Sequence, residues 1–170
     1  TTSFGAGDSD IYIIKTDADG DTLWTGTYGG EDYDDSQWIG EIPGEGYIIA
    51  GETSSYGEGG GDIILMKIGL DGDLIWYETY GGPLDEDAQW AQFTFDGGII
   101  ITGSTDSFGA GNDDVFLVKT DSQGEMQWSN TFGGGEPDLS LSVVESSSGG
   151  YVIAGQTESY GNGNDDVYLI

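Results

Sequence analysis

Apolar residues occur in short runs along this chain, and runs of two kinds alternate. Residues 10–16, DIYIIKT, are apolar at both odd and even positions, which is typical of a strand buried on both faces. Residues 22–28, TLWTGTY, place Trp24 and Tyr28 on one face and mainly threonines on the other, which predicts an edge strand. Two further runs, SQWIGEI and GYIIAGET, complete the set, and the last is again apolar on both faces. No run has the period of a helix, so the pattern predicts four short strands.

The four runs recur with a spacing of 52 residues. The array divides into repeats 10–61, 62–113 and 114–165, flanked by partial copies 1–9 and 166–170. One turn keeps a glycine in every copy, at Gly20, Gly72 and Gly124, which is typical of a hairpin. Self-similarity at this period predicts a propeller or a solenoid. Because the strands are joined by hairpin turns, each repeat is expected to form one four-stranded antiparallel sheet, as in the blade of a β-propeller.

Written as GGYxIAGxTxSFGAGxxDxxLIKTDxxGxxxWxxTYGG, the units resemble the β-propeller repeats of large secreted and cell-surface proteins in bacteria and archaea. The resemblance covers all three copies and the partial fourth. It implies an all-β fold of three four-stranded blades plus a partial one, within a ring of about six to eight blades. It also implies an extracellular or cell-surface location and a non-catalytic role as structural scaffold, spacer or adhesion unit.

The array begins and ends within a blade, at Thr1 and Ile170. Three blades cannot surround an axis, because propellers have about four to eight. We therefore expect closure by self-association with a second copy, or by further repeats of a longer parent chain. The surplus strand could also pair with the open edge of a neighbouring molecule and build a filament.

Acidic residues dominate the composition. The chain has 32 aspartates and glutamates against three lysines, with no histidine, and its formal net charge is −29. Such a field repels nucleic acids and anionic lipids, which excludes both as partners, and no apolar run is long enough to insert into a membrane. This negative charge favours the binding of cations and solubility at high salt, so we expect a halophilic protein or one at a calcium-rich surface. The absence of cysteine excludes disulfides and thiol chemistry.

The three lysines, Lys15, Lys67 and Lys119, occupy one repeat position. We expect them to form structural ion pairs at the blade edge rather than to bind anions, because the sequence keeps no other base. The expected partners are the carboxylates that stay acidic in all copies: Asp34, Glu86 and Asp138.

A D-x-D-G-D pattern places Asp17, Asp19 and Asp21 around the turn glycine of the first copy. Alternate carboxylates at a tight glycine turn are the start of a calcium loop. The later copies lose some of these carboxylates and keep the glycine, which indicates a hairpin turn. We therefore expect no cofactor, with calcium at this turn as the alternative.

Two tryptophans, Trp38 and Trp90, recur in the third run, where the last copy has Ser142. If that strand is the innermost, their rings could stack on sugars near a channel mouth. This is the basis of the alternative function, a lectin-like propeller that binds polysaccharide or surface proteins. Packing between blades is the favoured explanation.

Catalysis has few groups to use, since the chain lacks histidine, cysteine and arginine. A carboxylate-based hydrolase is chemically feasible. However, nothing distinguishes Glu41 or Glu145 from the many other acids, so we expect no enzyme.

Overall fold

The computed structural model describes Thr1, residues 5–162 and residues 165–170. These residues form 13 strands and no helix, so the all-β prediction is confirmed. Residues 2–4 of the partial first copy and residues 163–164 of the third repeat lie outside the described part.

The strands form four antiparallel sheets, which we number in chain order. Sheet 1 has two strands, β1 (Ile11–Thr16) and β2 (Thr22–Tyr28). Sheet 2 has four, β3 (Asp34–Ile42), β4 (Gly46–Thr53), β5 (Asp62–Gly69) and β6 (Leu74–Tyr80). Sheet 3 has four, β7 (Glu86–Phe93), β8 (Ile99–Thr105), β9 (Asp114–Thr120) and β10 (Met126–Phe132). Sheet 4 has three, β11 (Asp138–Glu145), β12 (Tyr151–Thr157) and β13 (Asp166–Leu169).

Sheets 2 and 3 are meanders in which sequential strands are neighbours. The prediction that each repeat forms one four-stranded sheet is wrong in phase, because sheets 2 and 3 each take two strands from one copy and two from the next. The strands that follow the hairpin glycines, β2, β6 and β10, are the last of their sheets, and the chain then enters the next sheet. The edge-strand prediction for residues 22–28 is confirmed, since β2 and its equivalents β6 and β10 lie at sheet edges.

The strands predicted to be buried on both faces are buried in the two central sheets. Every residue of β8 and β9 is buried, whereas β1 exposes alternate residues because only one of its faces packs against another sheet. The hairpin prediction is also confirmed, since φ is 87° at Gly20, 89° at Gly72 and 86° at Gly124. Residues with a side chain adopt such φ values only with strain.

Apolar clusters lie between consecutive sheets. The cluster between sheets 2 and 3 contains Ile63 and Ile101, and those at the other two boundaries contain Ile11 and Val143. The first strands β3, β7 and β11 contact one another in turn. The described residues thus form a row of sheets packed face to face, and this row is not a closed ring.

The central sheets have two chemically different ends. We call the end with the tight turn at 42–46 the turn end, and the end with the long loop at 53–62 the loop end. The strand register pairs Asp34 with Thr53 at the loop end of sheet 2, and sheet 3 repeats this arrangement.

Candidate functional site

A cavity of about 430 Å³ opens between sheets 2 and 3 at the turn end. Its walls include Glu41 and Phe93, together with an ion pair between Lys67 Nζ and Glu45 Oε2 at 2.7 Å. The carboxylates and the amine of these walls can form hydrogen bonds with a polar ligand, but the charge of the amine is already balanced by Glu45.

The lysines contact other partners than the acids expected from the sequence. Lys67 pairs with Glu45, and Lys119 Nζ lies 3.0 Å from Asp96 Oδ2. Both acids belong to turns at the turn end, within reach of a lysine near the end of its strand. The expected partners begin their strands at the opposite, loop end: Asp34, Glu86 and Asp138. The expected pairs are therefore corrected, because a strand's length separates the two sets of groups.

Lys15 differs from the other two lysines. Its amine donates to the Tyr47 hydroxyl and lies 4.9 Å from the centre of the Tyr47 ring. This hydrogen bond raises the pKa of Lys15 above its ordinary value. The lysine thus joins sheet 1 to sheet 2 through an aromatic residue rather than a carboxylate.

Lys119 is a buried lysine whose amine is fully coordinated by oxygen. Besides Asp96, it donates to the Thr120 carbonyl at 2.8 Å and to Gln127 Oε1 at 3.3 Å. The hydroxyl of Thr94 donates to Asp96, which together with a backbone N–H and the lysine holds the pKa of Asp96 well below its usual range. The group stabilises the turn end and leaves the lysine no free donor for an anion.

The two candidate sugar-binding tryptophans have different environments. Trp38 packs edge-on against Phe93, with ring centres 5.5 Å apart, within the core between sheets 2 and 3. Trp90 is 42% exposed. The residue equivalent to Phe93 in sheet 4 is Glu145, so the position that covers Trp38 is not aromatic beside Trp90. Trp38 is therefore a packing residue, and of these two tryptophans Trp90 is the one that exposes its side chain to solvent.

The D-x-D-G-D turn uses its first carboxylate to hold the backbone. Asp17 Oδ1 accepts the N–H groups of Asp19 at 3.0 Å and Asp21 at 2.9 Å. Asp121 accepts two backbone N–H groups in the same way in the third copy. These bonds explain why the first aspartate and the glycine recur in a hairpin.

Buried carboxylates at the loop end form pairs that sequence analysis did not bring together. Each pair joins two consecutive sheets: Asp10 with Asp34, Asp62 with Glu86, and Asp114 with Asp138. All six residues are buried. A methyl group added at the intervening glycine, Gly29, Gly81 or Gly133, would overlap oxygen atoms of both members of its pair. The glycine is thus required because two carboxylates occupy the space of a side chain.

The T-x-S-aromatic-G loops at 53–57 and 105–109 supply donors to one carboxylate of a pair. Glu86 accepts the Thr105 hydroxyl at 2.6 Å, the Ser107 N–H at 3.0 Å and the Gly82 N–H at 2.6 Å. Asp34 is held in the same way by the preceding copy of this loop. The recurring T-x-S-aromatic-G loop and the aspartate that opens each copy are the sequence signals that could have located these pairs.

The pair between sheets 3 and 4 is the least satisfied. Asp138 Oδ2 accepts the Gly134 N–H at 2.7 Å, and Asp114 Oδ2 accepts the Ala110 N–H at 2.5 Å. Within the described part of the chain, Oδ1 of both aspartates is buried and has no hydrogen-bond partner. Asp10 Oδ2 is likewise buried and has no hydrogen-bond partner among the described residues.

Negative charge accumulates at the loop end. Burial, together with the charges of Asp35 and Asp87, raises the pKa of Glu52 to about 7. Burial likewise raises the pKa of Asp62 to about 6, with a contribution from Glu86. All three lysines lie at the turn end, so these charges have no basic side chain to balance them.

No family model and no curated protein matches the chain. Among the residues described above, no group of three or more His, Cys, Asp or Glu side chains is arranged to hold a metal ion. The same residues include no helix long and apolar enough to cross a membrane.

Proposed function

We propose that the chain is a non-catalytic β-propeller module that serves as structural scaffold, spacer or adhesion unit of an extracellular or cell-surface protein. Sheets 2 and 3 share one strand order, pack face to face and have adjacent first strands. Blades of a propeller have the same relation to one another. The resemblance of the repeats to those of secreted and cell-surface proteins supports the location.

The observation that carries the proposal is the exposure of apolar positions on the two outermost sheets. Val152 of sheet 4 is 40% exposed, whereas its equivalent Ile100 is 0% exposed. Ile14 of sheet 1 is 53% exposed, whereas its equivalent Met66 is 2% exposed. We expect a further sheet of the same kind to cover these faces, because exposed apolar surfaces mark sites of interaction. Self-association or further repeats of a longer chain would supply that cover.

Cysteine crosslinking tests this continuation, because the chain contains no native cysteine. Val152 is equivalent to Ile48, and Ile14 is equivalent to Val118. Ile48 and Val118 belong to one cluster between sheets 2 and 3. If sheet 4 of one copy packs against sheet 1 of another, Val152→Cys and Ile14→Cys will therefore come together between molecules.

The double variant is expected to form a disulfide-linked dimer on mild oxidation. A control that pairs Val152→Cys with Ile75→Cys, on an exposed outer strand, is expected to stay uncrosslinked. A disulfide within one molecule would mean that the row closes on itself, and the proposal would then be wrong. The absence of any disulfide would exclude cover by a second copy and leave only further repeats of a longer chain.

A lectin-like propeller is the second candidate, and the exposed ring of Trp90 favours it. Aromatic faces open to water are suited to stacking on sugars. A polysaccharide array with tryptophan fluorescence as readout tests it. Binding that is lost in Trp90→Ala supports the lectin, and unchanged fluorescence on all polysaccharides excludes it.

Hydrolysis by paired carboxylates is disfavoured by the burial of the closest pairs. Asp62 and Glu86 approach each other below Gly81, but both are buried. A glycosidase needs its two carboxyl groups on either side of a bound sugar. These pairs therefore serve structure better than catalysis.

A further inference from the structure

The boundary between sheets 3 and 4 contains two buried carboxylates whose hydrogen bonding is incomplete. Asp114 and Asp138 are 1% and 0% exposed, and each has a buried Oδ1 without a hydrogen-bond partner among the described residues. Asp114 Oδ1 and Asp138 Oδ2 both border the space above Gly133. Burying two such groups without compensation is costly.

Two kinds of ligand can compensate a buried pair of carboxylates. A proton shared by the pair removes one charge and leaves the other. A divalent cation balances both charges and can also bind the unpartnered Asp114 Oδ1, which borders the space above Gly133. Carboxylate oxygens without nitrogen or sulfur ligands suit a hard cation, and flexible coordination that includes water suits calcium.

We propose that calcium binds at the loop end between consecutive sheets, with Asp114 and Asp138 as its carboxylate ligands. The equivalent pairs Asp62–Glu86 and Asp10–Asp34 are not assigned a calcium ion, because Glu86 and Asp34 have donors on both carboxylate oxygens. The site takes one carboxylate from each sheet, so the bound ion links sheets 3 and 4. Since only two side chains contribute, we expect an affinity like that of extracellular calcium modules, about 10⁻⁴–10⁻³ M.

This site is distinct from the D-x-D-G-D turn of the first copy. That turn is exposed, and Asp17 Oδ1 is already bound to two N–H groups. The pair at Asp114 and Asp138 is buried, and the unpartnered Oδ1 of Asp114 borders Gly133, in the link from sheet 3 to sheet 4. The inference does not depend on ring closure, because both ligands belong to one chain.

Isothermal titration of calcium into chelator-treated protein tests the proposal, with excess magnesium and sodium chloride present to suppress diffuse binding. The wild-type chain is expected to bind calcium saturably and to melt at a higher temperature when it does. Asp114→Asn combined with Asp138→Asn is expected to lower the number of calcium equivalents by about one per chain. The control, Asp19→Asn combined with Asp21→Asn, removes the same charge and is expected to bind like wild type.

Loss of binding in the control instead would place calcium at the turn and overturn the proposal. Non-saturable binding, or equal binding by the Asp114/Asp138 variant, would overturn it too. If that variant does not fold, terbium luminescence of the wild-type chain decides. Tyr160 donates to the Gly133 carbonyl at 2.7 Å, so terbium at this site should be sensitised by tyrosine and displaced by calcium. Terbium emission that calcium does not displace would contradict the site.

Discussion

Removing one hydroxyl group should show how strongly neighbouring sheets are joined at their outer edges. Tyr80, on the last strand of sheet 2, is 6% exposed and donates to the Gly124 carbonyl of sheet 3 at 2.5 Å. Burial raises the pKa of Tyr80, so it remains a donor at any ordinary pH. Tyr28 makes the equivalent bond to the Gly72 carbonyl at 2.6 Å, but it is only half-buried.

The substitution Tyr80→Phe keeps the ring and its packing and removes only the donor. A net hydrogen bond contributes about 0.5–1.5 kcal/mol, and a buried acceptor left unpaired costs about 1–3 kcal/mol. We expect the larger loss for Tyr80→Phe, because the Gly124 carbonyl is enclosed. We expect the smaller loss for Tyr28→Phe, because water can reach the Gly72 carbonyl. For a chain of this size, each kcal/mol lowers Tm by about 2–4 °C.

Urea unfolding followed by far-UV circular dichroism gives both changes in the free energy of unfolding. The third copy has Phe132 at this position, which shows that the fold accepts the ring without the hydroxyl. Equal losses in the two variants, or no loss in Tyr80→Phe, would refute the argument that burial of the acceptor sets the magnitude.

Three further predictions concern charge. The folded state holds the Glu52 proton more tightly than the unfolded chain, so stability should fall as pH rises from 4.5 to about 7. Thermal melts should show this decline in wild type and in the exposed control Glu78→Gln, and a smaller decline in Glu52→Gln; equal declines would contradict it. Lys119→Met should lower the free energy of unfolding in urea by about 1–3 kcal/mol, because a buried carbonyl loses its donor. Lys67→Met should lose less, since its partner is exposed, and the reverse order would refute this. Raising sodium chloride to about 1 M should increase Tm by screening the net negative charge, and an unchanged Tm would contradict it.

Most of the strands could be predicted from the sequence, because the pattern of each strand occurs in several copies. The alternation around Trp24 and Tyr28 predicts an edge strand, and the glycine that recurs at Gly20 predicts the hairpin. The phase of the sheets does not follow from the repeat. A meander can begin at any of the four strands, and the repeat alone does not show that β3, β7 and β11 begin the sheets.

The partners of charged residues could not be predicted, because equal spacing along the chain does not show which ends of the strands meet. Lys67 and Glu86 recur with the same period, yet they lie at opposite ends of neighbouring sheets. Trp38 and Trp90 also occupy equivalent positions, and their exposure differs because Phe93 covers only the first. The buried carboxylate pairs arise between one copy and the next, so no single copy contains them.

The mass of the unmodified chain in solution tests the propeller architecture most directly. Sheets 1 and 4 expose apolar faces that the central sheets bury, so we expect the chain alone to associate through these faces. Multi-angle light scattering should then give a mass of at least two copies of the 17.9 kDa chain. A stable, soluble monomer of 17.9 kDa with one cooperative melt would contradict this architecture.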